Sequence, residues 1–183
     1  MLSGKDFLKP ATAMGFDFFT GVPCSFLTPI INAVISKKSL NYVSASSEGE
    51  AVAIAAGAWI AGRKTVVMCQ NSGLGNAVNP LSSLNYPFRI PTLFITTWRG
   101  QPKVHDEPQH VLMGKITHSL FDKLLIPHQR FPKTPTKLTK ALKIASVKMK
   151  NSSLPYAFIM EKGIMRHEAV SYTHLTLPTI LLV

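Results

Sequence analysis

The stretch Tyr42-Val43-Ser44-Ala45-Ser46-Ser47-Glu48-Gly49-Glu50-Ala51-Val52-Ala53-Ile54-Ala55-Ala56-Gly57 begins as a short extended run and turns, at Ser47, into a helical pattern that is apolar all round. Downstream, Thr65-Val66-Val67-Met68-Cys69-Gln70-Asn71-Ser72-Gly73-Leu74-Gly75-Asn76-Ala77-Val78-Asn79 repeats the plan: apolar strand, polar glycine-rich turn, helix. Strand-turn-helix units in series predict a parallel sheet whose crossover helices cover both faces.

The same alternation extends outward. Phe16 to Thr20, Tyr42 to Ala45, Thr65 to Cys69, Thr92 to Thr97 and Tyr156 to Met160 read as strands, with Leu125 to His128 a weaker sixth. Ser25 to Lys37, Ser47 to Ala61, Asn76 to Leu84, Thr117 to Lys123 and Thr136 to Lys150 read as helices. The expectation is one α/β domain, a three-layer αβα arrangement on a mostly parallel sheet of about six strands, which a chain of 183 residues with 46% hydrophobic content can support. That domain is placed at residues 1–170. From Ser171 onward there is no Asp, Glu, Lys or Arg, and the chain closes on apolar residues. Residues 171–183 therefore read as a non-native or disordered tail resembling translated adapter sequence, with a natural last strand as the alternative.

The net charge of +11 raises nucleic acid or an anionic membrane as partners, but the charge is spread out. Much of it lies on Lys137, Lys140, Lys143, Lys148 and Lys150, interleaved with Leu138, Leu142, Ile144 and Val147, which reads as a helix with a solvated face. No nucleic acid and no membrane are expected; an anionic substrate or acidic partner chain accounts for the excess equally well. The N-terminus has no signal-peptide core, and Cys24 and Cys69 lack ligand spacing, so a cytoplasmic protein with two buried thiols is expected.

Two turns carry candidate chemistry. Ser47 and Glu50 stand at capping-box spacing, which gives Glu50 a structural task. Glu48 has none, yet it opens an apolar helix, where burial without a partner disfavours the charged carboxylate. A solvated first-turn acid facing the helix dipole is the plain alternative. The Gly73-Leu74-Gly75-Asn76 turn is neither a Rossmann fingerprint, because Val78 holds the third glycine position, nor a Walker loop, because no Lys-Ser/Thr follows. It offers a backbone that a planar ligand can approach, flanked by the amides of Asn71 and Asn76.

In this order, Ser47 to Gly57 and Asn71 to Leu81 resemble the N-terminal, pyrimidine-binding domain of thiamine diphosphate-dependent decarboxylases. Gly21-Val22-Pro23-Cys24-Ser25, Trp98-Arg99-Gly100-Gln101-Pro102 and Asp106-Glu107-Pro108-Gln109-His110 narrow the likeness to phosphonopyruvate decarboxylases and sulfopyruvate decarboxylase alpha subunits. The resemblance covers roughly residues 4–165. It implies that Glu48 is catalytic, hydrogen-bonding a ring nitrogen of the cofactor's aminopyrimidine to activate it for decarboxylation of a 2-keto acid. It further implies that Gly21, Val22, Pro23, Ser25, Gln70, Asn71, Gly73, Leu74, Gly75 and Asn76 line the cofactor crevice.

Arg99, Lys103, His105 and His110 could meet an anion, and Arg99 and His110 are the expected phosphonate or sulfonate contacts. No metal site is expected from His105, Asp106, Glu107 and His110, since the spacing is unfamiliar and Pro108 should interrupt a helix. The family holds Mg2+ and the diphosphate through a Gly-Asp-Gly motif that this chain lacks; its aspartates are Asp6, Asp17, Asp106 and Asp122. A second domain or subunit is thus expected to complete an oligomeric lyase. Three readings stay open: the front part of a phosphonopyruvate decarboxylase, a sulfopyruvate-type alpha subunit, or a non-catalytic basic binding module on the same fold.

Overall fold

The computed structural model describes residues 1–167 and 169. Six strands form a single sheet: β1 Phe16–Gly21, β2 Asn41–Ser44, β3 Lys64–Cys69, β4 Leu93–Thr97, β5 His128–Arg130 and β6 Tyr156–Met160. Their order is β2-β1-β3-β4-β6-β5, and every pairing is parallel. The helices are α1 Gly4–Ala13, α2 Thr28–Ile35, α3 Glu48–Ile60, α4 Leu74–Pro80, α5 Val111–Lys123 and α6 Pro135–Ser152.

Parallel strands must be covered on both faces, and alternate side chains of each strand feed two cores. Phe16, Val66, Met68, Ile95 and Phe158 meet Phe7 of α1, Ile30 of α2 and Leu142 of α6 on one face. Val67, Cys69, Phe94 and Ile159 meet Val52 of α3, Leu74 of α4 and Phe121 of α5 on the other. The three-layer expectation holds, with a sheet more uniformly parallel than expected. The tail from Ser171 lies outside the described residues.

Several boundaries moved for identifiable reasons. The helix α1, absent from the sequence reading, is started by a capping box between Ser3 and Asp6 and accommodates Pro10 in its interior. Its scattered lysines and proline hid the pattern. Pro108 opens a short 3₁₀ turn that runs directly into α5, so it starts a helix rather than interrupting one. Accordingly α5 begins six residues before Thr117. Leu125 adopts a left-handed φ of 56° after α5, which delays β5 until His128.

The all-apolar helix α3 is not buried on every side. Ala51, Val52, Ala55 and Ala56 face the core, whereas Ala53, Gly57 and Ile60 are exposed. On α6, Leu138, Leu142 and Met149 are buried and the five lysines lie in solvent, as expected, although Ile144 and Val147 join them there. No described helix is long and apolar enough to cross a membrane.

Beside α5, His118 and His128 form a pair with Nδ1 and Nε2 3.1 Å apart. His128 Nδ1 faces the Ile126 carbonyl at 3.2 Å, so it carries the proton, and His128 Nε2 accepts from His118. Burial, then the neighbouring His128 and Arg130, pull the His118 pKa below the ordinary imidazole value. A folded-state value below the unfolded one means that neutral His118 contributes stability fully above about pH 6.5 and loses that contribution as pH falls. Thermal melting from pH 7.5 to 5 should show this decline, and His118→Phe should flatten it.

Candidate active site

The strand order reverses direction between β1 and β3, because the chain passes from β1 to β2 on one side and then to β3 on the other. In open parallel sheets, ligands lie beyond the strand C-termini at such a point. The turns after β1, β2 and β3 all converge there. Val22 N donates to Met68 O at 3.1 Å and Ala45 N to Gly21 O at 3.0 Å. Cys24 Sγ lies 3.5 Å from Gln70 Oε1, so the turn carrying Gly21, Val22, Pro23 and Ser25 abuts the turn carrying Gln70.

Glu48 is the first residue of α3 and is only 8% exposed. Ser47 caps the helix by accepting from Glu50 N, but the Glu50 carboxylate reaches past the cap to Ser46 N at 2.7 Å. Glu50 is thereby turned away and Glu48 is left facing the second turn. There, Asn76 Nδ2 donates to Glu48 Oε2 at 2.9 Å. Gly73 lies directly under the carboxylate: a Cβ at that position would sit 1.9 Å from Glu48 Oε1. The glycine-rich turn expected to admit a ligand is thus also what admits the glutamate. Beneath it, burial and then the Glu48 charge push the Cys69 thiol far up, so Cys69 stays protonated and inert.

The remaining residues predicted for the site separate into distinct environments. Leu74 is buried in the core, and Gly75 and Asn76 are exposed at the start of α4. Asn71 is fully buried. Its amide nitrogen donates to Arg99 O at 2.8 Å and Thr117 Oγ1 at 3.0 Å, and its amide oxygen accepts from Arg99 N at 3.0 Å. It fastens the β3 turn to the β4 turn and α5. Arg99 forms a bidentate pair with Asp106, at 2.6 and 2.8 Å, and lies over the Phe26 ring. Hydrogen bonding from Arg99 is the first cause holding the Asp106 carboxyl far below the usual range. His110 is 8% exposed, and its Nδ1 has no hydrogen-bond partner among the described residues.

Sequence reasoning missed the clasp that shapes the loop from Trp98 to His110. Asp106 also accepts from Gly100 N and Glu107 N, and Trp98 Nε1 donates to Gly114 O at 2.7 Å. Gly100 and Gly114 are packed backbone to backbone, since a Cβ on Gly114 would lie 1.8 Å from Gly100 O. The Arg-to-Asp spacing was legible, but partners for these glycines were not. No group of three or more His, Cys, Asp or Glu residues that could hold a metal occurs among the described residues.

Residues 4–121 match the family model described as thiamine pyrophosphate enzyme, N-terminal TPP binding domain. The chain belongs to the thiamine pyrophosphate enzymes. It is 43% identical to a phosphonopyruvate decarboxylase of Streptomyces viridochromogenes over 94% of this chain and 44% of that protein. A second, from Streptomyces hygroscopicus, is 44% identical over 92% of this chain and 42% of its own length. The sulfopyruvate decarboxylase subunit alpha of Methanocaldococcus jannaschii is 39% identical over 79% of this chain and 85% of that subunit. The chain therefore spans less than half of the phosphonopyruvate decarboxylases but most of the alpha subunit. For this TPP-binding domain, the buried Glu48 carboxylate and the close-approach turn at Gly73 fit the aminopyrimidine end of the cofactor. The described residues offer no comparable acidic cluster for a metal and diphosphate.

Proposed function

We propose that this chain is the pyrimidine-binding part of a thiamine diphosphate-dependent lyase that converts 3-phosphonopyruvate to phosphonoacetaldehyde and carbon dioxide. The observation that carries the reading is the Glu48 carboxylate, buried at the switch point of the sheet and seated on Gly73. The cofactor, when bound, supplies the electron sink that decarboxylation of a 2-keto acid requires. Glu48 would exchange a proton with a ring nitrogen of the bound cofactor, acting as a general acid–base group. Its poor contact with water strengthens that interaction. Gly21, Val22, Pro23, Ser25, Gln70, Asn71, Gly73, Leu74, Gly75 and Asn76 form or brace the crevice that receives the ring.

Of the two anion candidates, His110 has a buried ring nitrogen with no hydrogen-bond partner among the described residues, while the fork of Arg99 is held by Asp106. His110 is therefore the stronger phosphonate contact, with Arg99 bracing the loop that carries it. Mg2+ and the diphosphate belong to a second domain or subunit, which makes the working enzyme an oligomer or a multidomain chain acting in the cytoplasm. The match to most of the archaeal alpha subunit supports a second reading, in which the substrate is sulfopyruvate and the diphosphate-binding part is a separate chain.

Assembling the chain with a diphosphate-binding partner from a phosphonopyruvate or sulfopyruvate decarboxylase and measuring carbon dioxide from each acid tests both readings. Release from neither acid by an assembly that forms would sink them. The chain alone should bind thiamine diphosphate weakly and without turnover. Tight magnesium-dependent binding in calorimetry of this chain by itself would contradict that expectation.

A further inference from the structure

We propose that Asn76 is a positioning residue for the Glu48 carboxylate: it holds Oε2 by its side-chain amide, leaving Oε1 as the oxygen available for proton exchange. This role rests on the pyrimidine-binding reading of the site and adds a residue whose task in that reading was contact with the cofactor.

Asn76 lies in the first turn of α4, in the unit that follows β3, and Glu48 opens α3, in the unit that follows β2. Twenty-eight residues separate them, yet Nδ2 stands 2.9 Å from Oε2. The amide presents its nitrogen, a donor, to the carboxylate oxygen, an acceptor. Among the described residues, this is the one side-chain hydrogen bond made to Glu48.

The two turns also accommodate each other reciprocally. Gly73 leaves space for the Glu48 carboxylate, and Gly49, next to Glu48, leaves space for the Asn76 backbone: a Cβ on Gly49 would lie 2.8 Å from Asn76 O. The close packing of α3 on α4 thus fixes where the amide starts, and a short side chain suffices to reach Oε2. The amide holds one carboxylate oxygen, and the space over Gly73 receives the other. Such pre-organisation matters because a misplacement of about 1 Å can cost on the order of a hundred-fold in rate.

Two measurements test the role. In the assembled enzyme, Asn76→Ala should lower kcat by up to about a hundred-fold with KM for the 2-keto acid within a few-fold. Combined with Glu48→Gln, it should add no further loss, because a residue that acts through Glu48 has nothing left to position. In the chain alone, labelled with 15N, the Asn76 side-chain amide signals should be displaced and slow to exchange, and should move to unstructured positions in Glu48→Ala. Additive losses in the double variant, or amide signals indifferent to residue 48, overturn the role while leaving the pyrimidine reading intact. Turnover of Glu48→Gln near that of the parent overturns both.

Discussion

Replacing Glu48 by Gln is expected, on the proposed function, to lower turnover of the assembled enzyme by about 10²–10⁴-fold, the usual worth of a positioned general acid–base group. The amide is nearly isosteric, so the packing over Gly73 and the α3 fold should survive. What is lost is the capacity to take up and return a proton. The Asn76 amide can still donate to the carbonyl oxygen of the glutamine side chain, so thermal melting should change little. Steady-state rates with 3-phosphonopyruvate and with sulfopyruvate, alongside melting curves, separate the two effects. Turnover within a few-fold of the parent would return Glu48 to the role of a helix-terminal acid.

Gly73→Ala should damage activity comparably through space rather than charge. The residue has φ −83° and ψ −4°, a backbone conformation that alanine adopts freely, so no strain arises from the chain itself. The added methyl would stand 1.9 Å from Oε1 and 2.0 Å from the carboxyl carbon of Glu48. The obstacle is thus the far end of a side chain, which can swing away. Stability should fall by no more than about 1–3 kcal/mol, the common cost of over-packing, while the carboxylate is displaced from the position the proposed function requires. Turnover should drop by about 10²-fold or more, with the chain still folded by circular dichroism. An active Gly73→Ala enzyme would mean that the carboxylate works from a different position.

Much of the fold was legible because its strands are short apolar runs. Tyr156 to Met160 needed no adjustment, since both of its faces are buried and the hydrophobic pattern stops where the burial stops. Elements whose ends are set by backbone geometry were harder. Leu125 is a left-handed residue with no glycine to announce it, and Pro10 sits inside α1 where a proline ordinarily argues against a helix. The helix α3 misled in another way. Its composition implies burial all round, but the helix packs one of its sides against the sheet, and Ala53, Gly57 and Ile60 remain exposed.

The site divides along the same line. Glu48 could be singled out because a charged residue without a capping task opens an apolar helix, and Gly73 because a glycine-rich turn follows a strand; both are local features. Arg99 was singled out for its charge and reach, yet the Asp106 carboxylate, seven residues on, occupies its fork. Likewise Asn71, chosen for its amide, has that amide fastened to Arg99 and Thr117.

The sequence by itself determined the class of fold, the order of its units, and which carboxylate stands at a strand-to-helix turn, because periodicity and turn chemistry are short-range properties of a chain. Tertiary structure alone decided which oxygen Asn76 holds, which glycine makes room for Glu48, and which cation is already paired. Those facts depend on distances between segments far apart in sequence, and such distances exist only after parallel strands have brought their C-terminal turns to one edge.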